Sequence, residues 1–526
     1  MSRCSQCGEI TKLKTEDSNI VPGPVADITT TARYLRLLCT NDPPLKGPVL
    51  AHIQDIVSKT RQRLASLDTN ISDLRAQLMQ LEDERSLLSD SLQKNTAVTS
   101  PLRWIPPEVL AEIFTWTLPE HYEKPARVDE CPWVLGHICS RWREIALSTP
   151  SLWSFSFIAG VHPNRYPLLP MIEAQIQRAR TLRVHFMGCE TSHSSPQIER
   201  FDLLSKHSER WEELSIQLTS ALVPRLSALQ GRLSSLRKLW VRWDNEDSDE
   251  GLEFVDCFES ASSLVDAGFA GESRFIPILL PLHQLTVYRV DCPWKEHQEA
   301  LRAAPNLIEA RINVMFQDDP WPNPSDTVID MLHLRRLFVT DVNILRILRA
   351  PALDGIGIDT APGEELDVTR ELDAFLVRSS CTPRRLCLSG SPEATTTAAV
   401  LNKHICISSC VLVFDQATRT SSTAFAGLMT MFTRADTAPN LGEICIGSHK
   451  PFAINYSLLL KMVESRRNAD RPLGEVTVLM SGWDPDPATI VGFRALEDAG
   501  LVLSVGTVDV NHLRSWKYTS PNFGVL

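Results

Sequence analysis

The feature that most constrains the fold of this 526-residue chain is a short apolar pattern that recurs from about residue 178 onward. It reads x-Leu-x-x-Leu-x-Leu, with its clearest copies at residues 211–216, 236–241, 285–290, 307–312, 334–339, 353–358, 441–446 and 473–478. Residues 182–184, 385–388 and 411–413 fit it more loosely. Alternation with a period of two marks a β-strand whose one side faces a core. Strand centres recur roughly every 20 to 33 residues, which leaves each unit room for a returning helix or irregular segment. Helical spacing fills several intervals, notably 201–204, 344–350, 372–377 and 456–463.

Stacking such units closes the apolar edge that each leaves open alone, so the fold class expected is α/β, as an open solenoid similar to a leucine-rich repeat. The asparagine typical of regular leucine-rich repeats is missing after most strands, which makes the repeats irregular. An ordinary α/β domain with irregular crossovers is the alternative architecture. In a curved solenoid the side chains between the inward residues line a concave face suited to a large protein ligand. This reading selects Arg237, Lys238, Trp240, Arg242, Arg289, Arg311, Arg335, Arg336 and Phe338 as candidate substrate-binding residues. Their basic character suggests an acidic or phosphorylated partner, which arginine grips in a bidentate manner. Acidic stretches at 244–250 and 317–320 either flank this surface or are plain loops.

Residues 102–153 carry a second signal. Pro106 and Pro107 suit the last extended residue and the first turn of a helix, where a missing amide N–H costs nothing. Val109, Leu110, Ile113 and Phe114 follow on one helical side. Val134, Leu135, Ile138, Trp142, Ile145 and Ala146 form another such stripe, with Arg141, Arg143 and Glu144 around it. Two short helices cannot bury both stripes against each other, and the remainder invites a partner.

The opening Ile105-Pro-Pro-Glu-Val-Leu-x-x-Ile-Phe114, the Cys139-Ser-x-Trp-Arg-x-Ile-Ala146 segment and the closing Thr149-Pro-Ser-Leu-Trp153 closely resemble an F-box-like domain of the kind found in mushroom-type fungal proteins. In that family the first helix docks on the Skp1 adaptor of a cullin-based ubiquitin ligase while the rest of the chain selects substrates. By resemblance the adaptor-binding residues are Leu102, Pro106, Pro107, Leu110, Ile113 and Phe114, whereas Trp142, Leu152 and Trp153 complete the module's own core. The insertion at 117–132 departs from the shortest forms of the domain and lengthens the link between the helices. Irregular leucine-rich repeats and a long helix before the F-box also belong to this resemblance.

That helix is written in heptads. Leu50, Ile53, Val57, Thr60, Leu64, Leu67, Ile71, Leu74, Leu78, Leu81, Arg85, Leu88 and Leu92 alternate by three and four residues without a slip. Thr60 and Arg85 interrupt the apolar seam. Self-association through residues 48–94 and a helix folded back on the C-terminal domain are both open. Before it, residues 1–47 read as a flexible tail rich in proline. Cys4 and Cys7 have the spacing of half a zinc knuckle, but the nearest later cysteine is Cys39, and no metal or cofactor is expected.

The expected organisation is therefore a tail at 1–47, a coiled-coil helix at 48–94, an F-box-like domain at 101–155 and a repeat domain at 178–515. A net charge of −11, without a basic patch interleaved with aromatics, disfavours nucleic acid as a partner. No apolar run reaches membrane-spanning length and no secretion signal stands at the start. With thirteen scattered cysteines, the expectation is an intracellular protein, of cytoplasm or nucleus, whose thiols are mostly reduced. No phosphate loop, nucleophile elbow or His-Glu-x-x-His helix is present, and Cys131, His137 and Cys139 lack a full ligand set. The sequence thus points to a non-catalytic substrate-recognition subunit of an SCF-type (Skp1–cullin–F-box) ligase, contacting the cullin through Skp1. A coiled-coil and repeat scaffold without a ligase link is the alternative. A hydrolase with an unsignalled pocket is a third reading.

Overall fold

The computed structural model describes residues 32–40, 46–118, 130–159, 169–188, 195–243, 254–271, 275–316, 320–321, 328–360, 365–390, 392–414, 418–434, 436–448, 454–468, 472–479 and 485–506. The expectations for Cys4 and Cys7 and for the acidic stretch at 244–250 lie outside these residues, as does most of 117–132 and 317–320. The chain is a mixed α/β protein that divides into two compact units, residues 1–105 and 106–526. The boundary falls inside the segment expected to begin a helical domain at residue 101, so the helical module and the sheet share one unit.

The first unit holds α1 (Ala32–Cys39) and α2 (Pro48–Val98), a single 51-residue helix with proline in its first turn. Heptad residues from Val57 to Leu92 are open to solvent along α2.

The second unit opens with α3 (Pro107–Trp116), α4 (Leu135–Ile138), α5 (Ser140–Ser148) and a 3-10 turn at Pro150–Trp153. A parallel sheet follows: β1 (Phe155–Ala159), β2 (Leu182–Met187), β3 (Trp211–Leu218), β4 (Lys238–Trp243), β5 (Asp266–Gly271), β6 (Val287–Cys292) and β7 (Glu309–Val314). It continues, after the short β8 (Ile329–Asp330), with β9 (Arg336–Val339) and, after β10 (Leu348–Arg349), with β11 (Gly355–Thr360), β12 (Arg385–Gly390) and β13 (Ser409–Phe414). It closes with β14 (Glu443–Ser448), β15 (Glu475–Leu479) and β16 (Val502–Gly506). Fourteen of these strands form one sheet in strict sequence order, while β8 and β10 pair separately. Every pairing is parallel, so each connection must cross over before the next strand can add. The crossovers contain α6 (Leu169–Arg178), α7 (Ser195–Ser205), α8 (Trp294–Ala303), α9 (Glu365–Ser379), α10 (Ala394–Lys403), α11 (Thr418–Phe432), α12 (Tyr456–Arg467) and α13 (Pro487–Asp498), or irregular 3-10 turns. From α10 to α13 each helix packs on the next in chain order.

The leucine pattern explains this order. Its first leucine sits in a turn before the strand: Leu236, Leu285, Leu334, Leu353 and Leu441 are buried there, each donating its N–H to the carbonyl three residues earlier. The second and third point into the same core, as Leu239 and Val241 or Ile444 and Ile446 do. A fully buried leucine contributes about 1.5–3 kcal/mol, so a unit that lost its anchor would lose a large share of its own stability. The strand entrances interlock: the Arg237 carbonyl accepts from the N–H groups of Val265 and Asp266, and the Ile308 carbonyl accepts from those of Arg335 and Arg336. Arg384, Ser408 and Gly442 repeat this arrangement, which holds the register without an asparagine ladder.

Side chains finish the task by capping the ends of neighbouring helices. Arg210 donates to the carbonyls of Ile176 and Ala179 at the end of α6. Arg378 reaches Leu345 and Leu348, and Gln284 reaches Ala261 and Leu264. Arg466, buried, binds the carbonyls of Phe432, Thr437 and Ala438. These bonds satisfy carbonyls that a helix or turn leaves unpaired at its C-terminus.

Three expectations change. Residues 344–350 are not an α-helix but a 3-10 turn at Val342–Ile347 running into β10, because Ala350 precedes Pro351 and that position disfavours helical backbone. The stripe from Val134 to Ala146 is two helices, broken where Cys139 is extended and its sulfur accepts the Trp142 N–H at 3.5 Å. The sheet also starts before residue 178, with β1.

Candidate interaction surfaces

The first surface is one side of α3. Pro106 is extended (φ −56°, ψ 149°) and Pro107 opens the helix, as their chemistry dictates. Leu110 and Phe114 then turn inward and are fully buried: the Phe114 ring lies 4.8 Å from that of Trp142, and α3 packs on α5 and on the Pro150–Trp153 turn. Leu152 and Trp153 complete this core, with the Trp153 indole N–H donating to the Ala146 carbonyl at 2.8 Å, while Trp142 is half-buried. The expectation that Leu110 and Phe114 form the docking surface is thus corrected, because both are already consumed by internal packing. Ile113 is 42% exposed, and Pro106 and Pro107 are also exposed. Val109 (48% exposed) and Trp116 (81%) extend Ile113 into an apolar stripe at i, i+4 and i+7. Leu102, in the first unit, is exposed as well.

The module is joined to the sheet through aromatic contacts. Arg178, at the end of α6, places its guanidinium 4.5 Å from the Trp153 ring centre and 5.0 Å from that of Trp133. Those two indoles meet edge to face at 4.9 Å. Burial lowers the Arg178 pKa, yet the indole faces attract its charge. Neither Arg178 nor Trp133 stands out in the sequence, since both lie outside the motifs.

The second surface is the sheet face opposite the leucine core. Lys238, Trp240 and Arg242 share it on β4, and the register carries it through Gly268, Arg289, Arg311 and Phe338. Its charges are largely matched internally. Arg289 is buried between Asp266 (3.0 Å) and Glu309 (3.1 Å), Arg336 reaches Glu309 at 2.6 Å, and Lys238 reaches Glu213 at 2.8 Å. Burial raises the Asp266 pKa, and the Arg289 charge opposes that shift. The Arg311 guanidinium lies 4.3 Å from the centre of the Phe338 ring, and Phe338 is itself buried. Arg237 and Arg335 are exposed but belong to the strand-entrance turns, one residue out of phase with the row. The basic row expected from the sequence is therefore largely paired within the sheet, with Lys238, Arg289 and Arg336 on carboxylates and Arg311 against the Phe338 ring. The missed residues are Asp266 and Glu309, legible only once strand register aligns them with Lys238 and Arg336.

Gly268 was missed as well. A Cβ there would fall 2.1 Å from the Trp240 ring, so glycine is what lets the indole lie across β5.

The thiols and imidazoles are set for packing. Burial pushes the thiols of Cys410 and Cys445 up to about 12 and that of Cys387 beyond, so all three stay protonated at neutral pH. His297 is held neutral, its pKa lowered to about 4 by burial, between the Tyr288 hydroxyl (3.0 Å) and the Asn313 carbonyl (3.1 Å). His137 is exposed, and among the described residues no group of three His, Cys, Asp or Glu side chains could hold a metal ion. No helix among them is long and apolar enough to cross a membrane.

Comparison with known protein families finds no match, and comparison with curated proteins finds none either.

Proposed function

We propose that this protein is a non-catalytic substrate-recognition subunit of an SCF-type ubiquitin ligase, acting inside the cell. Its F-box-like module docks on a Skp1-like adaptor, and through it a cullin, by the outward side of α3. Its sequential sheet is an irregular leucine-rich-repeat-like solenoid that holds a protein substrate. The observation that carries this reading is the stripe of Val109, Ile113 and Trp116, left exposed on a helix whose Leu110 and Phe114 are locked inside. A short helix fixed from one side and apolar on the other suits a partner helix. The Arg178 joint then ties adaptor and substrate surfaces together, so ubiquitin-transfer chemistry belongs to partners while this chain raises the local substrate concentration. On the substrate side, Lys238, Trp240, Arg242 and the exposed Arg237 and Arg335 are the residues to vary first.

The test is association of the purified chain with Skp1. Micromolar or tighter binding is expected, and Val109→Asp with Ile113→Asp should weaken it at least tenfold while leaving the fold intact. A folded chain that fails to bind at tens of micromolar would falsify the proposal. The long exposed heptad seam of α2 favours a second reading, an interaction scaffold without a ligase link. Co-isolation of a cullin together with Skp1 separates the two.

A further inference from the structure

We infer that α2 pairs with the α2 of a second copy of this chain, and that the two helices run antiparallel. The seam demands a partner. Val57, Leu64, Leu67, Ile71, Leu74, Leu78, Leu81, Leu88 and Leu92 are each at least 40% exposed in the single chain, on one helix of 51 residues, about 75 Å long. One uninterrupted helix cannot fold back to cover its own seam.

The identity and direction of the partner follow from which residues meet. With Leu50 assigned to heptad position a and Ile53 to d, an antiparallel pair sets a against d. Full overlap of α2 with its copy then places Leu64 opposite Leu81, Ile71 opposite Leu74, Leu78 opposite Leu67 and Val57 opposite Leu88. The same register brings the two breaks in the seam, Thr60 and Arg85, into one layer. No other residue has to move for the remaining central layers to be wholly apolar.

Charge decides more sharply. In an antiparallel pair e positions face e, and g positions face g. Arg61 then meets Glu82, Asp68 meets Arg75 and Arg63 meets Glu84, each contact occurring twice by symmetry and every one attractive. A parallel pair would set Arg85 against Arg85 in the seam, and its only opposed charges at facing g and e positions would be Arg63 and Asp68. The pairs that α2 forms within itself, Lys59 with Asp55 and Lys94 with Asp90, lie on the outer c and f positions and leave the flanking charges available.

The experiment uses the full chain. Light scattering should show a dimer. Leu64→Cys and Leu81→Cys chains, co-expressed and oxidised, should give a 64–81 linked peptide by mass spectrometry, and neither variant alone should give 64–64 or 81–81 links. Glu82→Lys with Glu84→Lys should raise the dimer dissociation constant at least tenfold, and adding Arg61→Glu with Arg63→Glu should restore it. A monomer at tens of micromolar overturns the pairing. Links at 64–64 and 81–81, or indifference to Glu82→Lys with Glu84→Lys, overturn the direction.

Discussion

Replacing Arg466 by alanine should cost about 3–5 kcal/mol and open the chain first around α11. Arg466 is 2% exposed and donates to three backbone carbonyls: Phe432 at 2.7 Å, Ala438 at 3.1 Å, and Thr437. A hydrogen bond from a charged donor contributes roughly 1.5–3 kcal/mol, so three would approach about 4.5–9 kcal/mol before the cost of burying the guanidinium is set against them. That cost is real here, since burial lowers the Arg466 pKa, and breaking comparable buried charge contacts removes about 3–5 kcal/mol. The segment it holds is strained: Ala438 has φ +49°, a conformation that costs an L-residue about 1–2 kcal/mol, and its N–H is tied to the Asn402 side chain at 2.6 Å. Without Arg466 that strain loses its main restraint. Units of a sequential sheet can open one at a time, so the fitting assay is native-state hydrogen exchange at the amides of Thr433, Arg434, Thr437 and Leu441, beside a guanidinium melt. Arg466→Lys, which keeps charge but not the three-way geometry, should fall between wild type and alanine. Exchange at those amides unchanged within about 1 kcal/mol in Arg466→Ala would refute the reasoning.

Phe114→Ala should destabilise the helical module by about 3–5 kcal/mol in a denaturant melt, whereas Ile113→Asp should leave the melt nearly unchanged and act on adaptor binding alone. Gly268→Ala should lower stability by about 1–3 kcal/mol by driving a Cβ into the Trp240 ring, and Trp240→Ala in the same chain should recover most of the loss; no recovery would mean that the indole is not the obstacle. His297 should make stability fall with acid. Its folded pKa is depressed from 6.5 to about 4, so the unfolded chain takes up the proton first. The contribution of the neutral ring is present above pH ~6.5 and lost as pH falls toward ~4, up to about 3 kcal/mol. His297→Gln should be less stable at pH 7 yet show a shallower decline between those values in thermal melts.

The strands were legible because the three leucines of the pattern do different physical work that nothing else does as well: one anchors the turn and two fill the core. Where other residues perform the same work, the pattern hides. In β5 the series runs Leu264, Ala267, Phe269, with alanine in place of the second leucine. Before β16 the anchor position is Gly500, at φ +89°, which ends α13 in a left-handed turn. Helix boundaries were less legible. Cys139 breaks a stripe whose apolar spacing runs straight through it, because an N-cap depends on one residue's backbone and not on periodicity.

The docking and charge readings diverged from the sequence for a shared reason, which is that a side chain's availability is set by what other segments bring to it. An apolar stripe on α3 does not say which half turns inward; the Trp142 ring and the Pro150–Trp153 turn decide that Leu110 and Phe114 do. Likewise Arg289 reads as a free base until parallel register sets it between Asp266 and Glu309, each 20 or so residues away in the chain. The seam of α2 is the opposite case. There the residues that matter are periodic and flanked by charges on the same helix, so the proposed antiparallel pairing with a second copy is read from the sequence itself.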